Sequence, residues 1–443
     1  MTFGPYNVDY EQRAYNPERM RKYRLERAHA TLNKYEFGAL VVFNYDTWRY
    51  LNYYTLHNYA RRRPGQFLLL IKDAGYPYAP VDPLPPTWEE ELLPWYKDRM
   101  TLKTSNSMTI QQGYPGHPDY MVGHWDRVAA EIKGMLEEHG VANMPCGVDI
   151  TNAHMIDACR RAGIKLVDGN HVIAEMRMIK NEDEIECLRM AGAITESAHW
   201  EVCQALKPGV TEWQMAGVAA KALFDLGAEE LEGPSFVVCS GERSGHSVPA
   251  MPTDRIIRPG DLFIIDINGV SFQGYRTCFY RTYCVGDKPT EFQKDMYQSA
   301  LEGQLALTAS IKAGITNQEA QQNWIEKGRK PGGWGSMPKW PAPGKYYFGT
   351  ACHQIGLCSG DPGPIISGTV GEMLGGAKDE PPLMLEKNMC FANETGCFYW
   401  DGKKWARDGV KLEYCGRVTD DGFENFYRFP IKDLIACGLP GVY

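Results

Sequence analysis

Between Arg177 and Gly269 the chain encodes two long amphipathic helices and then two apolar strands, and that order restricts its fold more than any other feature. The first helix lies in RMIKNEDEIECLRMAGAITESAHWEVCQAL, where Ile185, Leu188 and Ala191 recur at helical spacing. The second, PGVTEWQMAGVAAKALFDLG, opens with Thr211 and Gln214 in capping-box register and closes on Gly227. Strand patterns follow at FVVCSG and DLFIIDING. Two helices laid against strands imply an α+β domain.

The segment before it reads as a smaller α/β domain. Residues 17–36 predict a charged helix, and GALVVFN, from Gly38, predicts a buried strand. Trp48 to Tyr54 and FLLLIKDAG, from Phe67, are expected to continue the sheet. The Pro-rich stretch YPYAPVDPLPPTW resists helix and is expected to form a surface connection. A further helix is predicted from Trp125 to His139. A boundary near residue 172 then divides the chain into 1–172 and 173–443, in keeping with a length that exceeds what one core usually serves.

Composition excludes several function classes. A net charge of −8 argues against a nucleic-acid or anionic-membrane surface. The compact basic run Arg61-Arg62-Arg63 is either a solvated loop or a carboxylate clamp. No apolar run approaches the roughly 20 residues a membrane span requires. The N-terminus is polar and lacks an apolar signal core. Thirteen cysteines without CxxC pairs are expected as reduced thiols. The expected location is the cytoplasm.

Four motifs occur in a recognisable order. Arg177-Met178-Ile179-Lys180-Asn181 leads to Glu184-Ile185 and Arg189-Met190-Ala191, and Pro208-Gly209-Val210-Thr211-Glu212 follows. Arg258-Pro259-Gly260-Asp261-Leu262 precedes an apolar strand, and Gly274-Tyr275 precedes Arg281-Thr282-Tyr283 and Val285-Gly286. Together they resemble the signature of the pita-bread enzymes, the creatinase, prolidase and aminopeptidase P superfamily. The resemblance implies a C-terminal pita-bread domain behind a smaller N-terminal α/β domain. It also implies a homodimer in which one subunit helps to close its neighbour's pocket, with Trp48 to Arg63 as the candidate wall.

Metal-dependent members hold two cations on two aspartates, a histidine and two glutamates. Hard oxygen donors suit that task because the ions share a bridging water whose pKa they lower. Position by position, Asp266 resembles the first aspartate, His353 the histidine, and Glu394 and Glu413 the glutamates. The second aspartate falls on Cys278, counted from either Arg281 or Gly274-Tyr275. A thiolate can bind zinc or iron but lacks the bridging grip of a carboxylate. Burial of a small side chain is the competing reading of Cys278.

A branch is also indicated. Asp266 lies one residue further from Gly274-Tyr275 than in prolidases, which resembles dimethylsulfoniopropionate lyases, and the extra aspartate of that branch falls here on Asn268. Ser240-Gly241-Glu242-Arg243 is similar to the same branch and to ectoine hydrolases. Creatinases lost aspartates from this site and use a histidine base without metal, and the nearest candidate here is His246. Asp361 is either a second acid–base group or a turn aspartate, and Arg61 and Tyr275 are candidate substrate contacts.

The expectation is therefore a hydrolase or lyase. It would cleave a C–N or C–S bond of a small zwitterionic carboxylate, an N-substituted amino acid or an onium compound. The site would hold one or two divalent ions, of iron, zinc or manganese. Three alternatives stand beside it: a metal-free creatinase-like hydrolase with His246 as base, an Xaa-Pro peptidase, and a non-catalytic binding protein on the same fold.

Overall fold

The computed structural model describes residues 15–52, 66–80, 93–96, 98–104, 118–149, 153–229, 236–245, 251–269, 271–328, 344–367 and 381–439. The chain divides into two compact units, Asn16–Arg177 and, with Tyr15, Met178–Tyr443.

In the first unit the helix Pro17–Lys34 starts where the Asn16 side chain accepts the Arg19 amide and Pro17 occupies the first turn. Strands β1 (Ala39–Val42) and β2 (Leu68–Ile71) are buried along their whole length. A short pairing of β3 (Ala79–Pro80) with β4 (Met100–Leu102) lies apart from the main sheet. That sheet has the order β2-β1-β5-β6, where β5 is Cys146–Val148 and β6 is Leu166–Asp168. Its β1, β5 and β6 run parallel, as expected of strands covered on both faces. The helix Pro118–Glu138 presents Trp125, Val128, Ala129, Ile132 and Leu136 to the core, a spacing that gathers them on one face.

The expected strand at Trp48 to Tyr54 is a helix, Tyr45–Asn52, over its described part. Capping overrides the β-like composition. The Asn44 side chain accepts the amides of Asp46 and Thr47 at 2.9 and 3.0 Å. The Asp149 carboxylate in turn holds the amides of Phe43 and Asn44.

The second unit begins with the helix Glu182–Ala205, capped reciprocally by Asn181 and Glu184, and continues with Glu212–Asp225, capped by Thr211 and Gln214. Gly227 follows with a positive φ of 90°, which favours glycine at a helix end. One sheet has the order β17-β11-β8-β7, with β7 Val237–Ser240, β8 Leu262–Asp266, β11 Tyr280–Val285 and β17 Ile435–Cys437. Strands β9 (Ser271–Phe272) and β10 (Tyr275–Arg276) form a hairpin.

The larger sheet has the order β13-β12-β14-β15-β16 and is antiparallel throughout. Its strands are β12 (Lys345–Gln354), β13 (Asp361–Ser367), β14 (Cys390–Trp400), β15 (Trp405–Val418) and β16 (Phe423–Asn425). Cys397, Val410 and Leu412 pack against Met296 and Ala300 of the helix Glu291–Thr308. Cys352, Phe391 and Val418 pack with Leu307 and Trp324. Since side chains alternate along a strand, the opposite face carries His353, Glu394, Lys411 and Glu413. All thirteen cysteines are free, eleven of them buried, as reduced thiols would be. Among the described residues no helix is long and apolar enough to cross a membrane.

Candidate metal centre

Three neighbouring strands build the polar face. Register places Ala351 opposite Glu394, so His353 stands two residues along β12 on the same side. Glu394 and Glu413 are direct cross-strand partners on β14 and β15. Two like charges placed opposite one another repel, so this pairing needs a cation between or beside them.

The second sheet brings the remaining groups. Thr282 of β11 exchanges hydrogen bonds with the backbone of Lys411, accepting from its amide and donating to its carbonyl, each at 2.9 Å. Arg281 donates to the Glu413 carbonyl at 2.6 Å. The Tyr280 amide donates to Glu413 Oε2 at 2.9 Å. These contacts bring Cys278, two residues before β11, and Asp266, at the end of β8, beside Glu413.

One ligand atom from each of Cys278, His353 and Glu413 lies within 4.8 Å of the others. That spacing suits three donors around one ion. Glu413 is fully buried, and its Oε1 has no hydrogen-bond partner among the described residues. A buried carboxylate oxygen left unpaired is costly unless a cation meets it. His353 Nδ1 donates to the Gln354 carbonyl at 3.1 Å, which leaves the Nε2 lone pair as the donor to an ion. The donor set of thiol, imidazole and carboxylate therefore fits a divalent metal.

Asp266 sits against this group. Its carboxylate accepts from the Phe279 amide at 3.1 Å and the Asn268 side-chain amide at 2.8 Å, and Cys278 Sγ lies 3.9 Å away. Burial, with the Glu394 charge adding to it, pushes the Asp266 carboxyl up to about 7, against the opposing pull of Lys411. Burial and the charges of Asp266 and Glu394 push Glu413 well up as well. Burial and Asp266 do the same to the Cys278 thiol. Negative charge is crowded here.

Lys411 supplies the one ammonium found against these carboxylates among the described residues. Its Nζ forms a buried ion pair with Glu394 and lies 4.2 Å from the Tyr280 ring centroid. Burial alone would lower its pKa, but the nearby Glu394 reverses that and raises it. Lys411 was absent from the residues singled out in the sequence. Its signal is the alternation in Val410-Lys411-Leu412-Glu413, which puts Lys411 and Glu413 on one strand face.

Over residues 186–420, just over half of the chain, the sequence matches the metallopeptidase family M24. The chain belongs to metallopeptidase family M24. The probable dipeptidase PepE of Mycobacterium tuberculosis is 28% identical over 287 residues, which are 64% of this chain and 67% of that protein. The Xaa-Pro dipeptidase of Pyrococcus horikoshii is 36% identical over 152 residues, covering 33% of this chain and 41% of the relative. Among solved structures, dipeptidase PepE from Mycobacterium ulcerans superposes with a TM-score of 0.64 at 22% identity, covering 96% of this chain and 100% of that one. A prolidase from Thermococcus sibiricus gives a TM-score of 0.67 at 20% identity, covering 97% and 99%. At such identities the structures speak for the fold. It is the pita-bread fold of the creatinase, prolidase and aminopeptidase P superfamily, with a smaller N-terminal unit.

As an M24 metallopeptidase the chain is a hydrolase of a family that uses divalent metals. The residues expected at its site divide into three groups. Cys278, His353 and Glu413 converge, with Asp266 and Glu394 beside them. Asn268 holds Asp266 through its side-chain amide. Tyr275 and Asp361, by contrast, are engaged in packing. The Tyr275 side chain is 1% exposed and its hydroxyl donates to Glu184, while Asp361 is buried in an ion pair with Lys180 at 3.1 Å. His246 and Arg61 lie outside the described residues.

Proposed function

We propose that this M24 chain hydrolyses the amide C–N bond of dipeptides, Xaa-Pro dipeptides among them, with a divalent metal on Cys278, His353 and Glu413. The convergence of those three side chains around an unpaired Glu413 oxygen carries the reading. Relatives named dipeptidase and Xaa-Pro dipeptidase support the substrate class. The names of these relatives favour the Xaa-Pro peptidase alternative over the expected hydrolase or lyase of a small non-peptide zwitterion.

A divalent ion held there supplies Lewis acidity toward a scissile carbonyl. The chain's own residues prepare the site for it. The Tyr280 amide fixes one Glu413 oxygen and leaves the other free. The Gln354 carbonyl fixes the His353 tautomer. Glu394, held by Lys411 opposite Glu413, presents a carboxylate that can accept a proton from an attacking water.

The lyase and onium reading draws less support. Of the segment that suggested it, Glu242 pairs with Arg255 at 2.6 Å and Arg243 pairs with Glu212, so both charges have partners within the chain. The test is chromatographic release of free amino acids from a panel of Xaa-Pro and other dipeptides by zinc-, iron- or manganese-loaded protein. Turnover that disappears on chelation is expected. Cleavage of an ammonium or sulfonium zwitterion with no dipeptide cleavage would overturn the reading.

A further inference from the structure

We propose that the Lys411 ammonium takes the place of a second metal ion, so that the centre holds a single ion bound through the Cys278 thiolate. The inference rests on the metal-dependent reading above and specifies the number and class of its ions.

Strand register forces the problem that Lys411 solves. Glu394 and Glu413 face each other directly, and Asp266 adds a third carboxylate to the same cluster. Glu394 takes no part in the convergent trio, because its carboxylate is occupied by Lys411. Lys411 stands two residues before Glu413 on the same strand face, a diagonal neighbour of Glu394. It is held there on three sides. Thr282 bonds both its amide and its carbonyl, the Tyr280 ring lies under its ammonium, and the side chain is only 11% exposed. A fixed, buried ammonium beside a carboxylate pair is a permanent counter-charge.

A second divalent ion bound through Glu394 would have to draw that carboxylate away from Lys411 and then sit beside the ammonium.

The donor types decide which ion fits. Sulfur, imidazole nitrogen and a single carboxylate favour zinc, cobalt or ferrous iron over the oxygen-seeking magnesium, calcium and manganese. Three protein donors also leave one position of a tetrahedral ion open, as hydrolytic sites require. Cys278 at the place of an aspartate and Lys411 beside Glu394 are thus two halves of one change. A bridging carboxylate is gone, and the ion it would have shared is replaced by a side chain.

The experiment strips the full-length protein with chelator, adds zinc or cobalt, and counts ions per chain by mass spectrometry after gel filtration. One ion per wild-type chain is expected, with a thiolate-to-cobalt charge-transfer band in the near ultraviolet. Cys278→Ser should abolish that band and weaken zinc binding beyond the roughly 10–100-fold that loss of an outer-shell partner costs. Lys411→Met, which frees Glu394, should admit a second ion, whereas Lys411→Arg should keep the count at one. Two ions in the wild-type protein, or a band that survives in Cys278→Ser, would overturn the proposal. The wild-type count needs no variant to fold. Neither readout uses a substrate, so one thiolate-bound ion without peptidase activity would sink only the substrate reading, and two ions with peptidase activity only this one.

Discussion

The two units of this chain bury charge for opposite ends. In Asn16–Arg177 polar side chains serve local needs: Asp149 caps the turn at Phe43 and Asn44, and Arg177 donates to Thr47 at 3.0 Å. In Met178–Tyr443 three carboxylates crowd together, with, among the described residues, a single ammonium beside them and one of their oxygens unpaired. Folding free energy does not favour that crowding, which protonation or a cation relieves. Buried charge that is fully matched describes a scaffold. Buried charge that remains in excess describes a site.

The largest effect is expected where the excess lies. Glu413→Gln removes the donor with the unpaired oxygen, and kcat/KM for a dipeptide should fall by about a thousandfold or more, the scale of several kcal/mol of transition-state stabilisation. Zinc content measured on the same sample should fall with it. An active, metal-replete Glu413→Gln enzyme would erase the distinction between the two kinds of buried charge.

Lys180→Met tests a matched pair within the same unit. It removes the ammonium paired with Asp361, which is almost wholly buried, and should destabilise the protein by about 3–5 kcal/mol in urea unfolding. Metal bound per folded chain should not change. A loss of metal without a loss of stability would move Asp361 into the site.

A smaller effect is expected from His124 in the first unit, which is 2% exposed and whose Nε2 has no hydrogen-bond partner among the described residues. Burial, with the Arg127 charge adding to it, pushes its pKa down to about 4. The folded state therefore prefers neutral imidazole. Stability from this residue is intact above its unfolded pKa near 6.5 and declines as pH falls toward 4. The loss should reach about 3 kcal/mol at most. His124→Leu should flatten that acid limb in urea titrations between pH 7 and about 4 while leaving metal content unchanged. An unaltered pH dependence would show that the first unit tolerates buried titratable groups at no cost.

Legibility in the sequence followed the range of the forces involved. Capping boxes at Thr211 and Gln214, the strand ending in Asp266, and the alternation on β15 each depend on neighbours within a few residues, and all were readable. Trp48 to Tyr54 misled because its aromatic composition favours a strand, while the helix is set by Asn44 and Asp149, of which the second is distant in sequence. Lys411 escaped notice because a lysine on an alternating strand is ordinarily solvated, and nothing local reveals that β11 covers it.

By itself, then, the amino-acid order determined the two-layer C-terminal unit, its family signature and the residues available as ligands, because these follow from short-range periodicity and motif spacing. Only the tertiary structure decided how those ligands are shared. Glu394 turns to Lys411, 17 residues away, while Glu413 stays with Cys278 and His353. The division depends on strand register and on the bond between Thr282 and Lys411, which form only when distant strands meet.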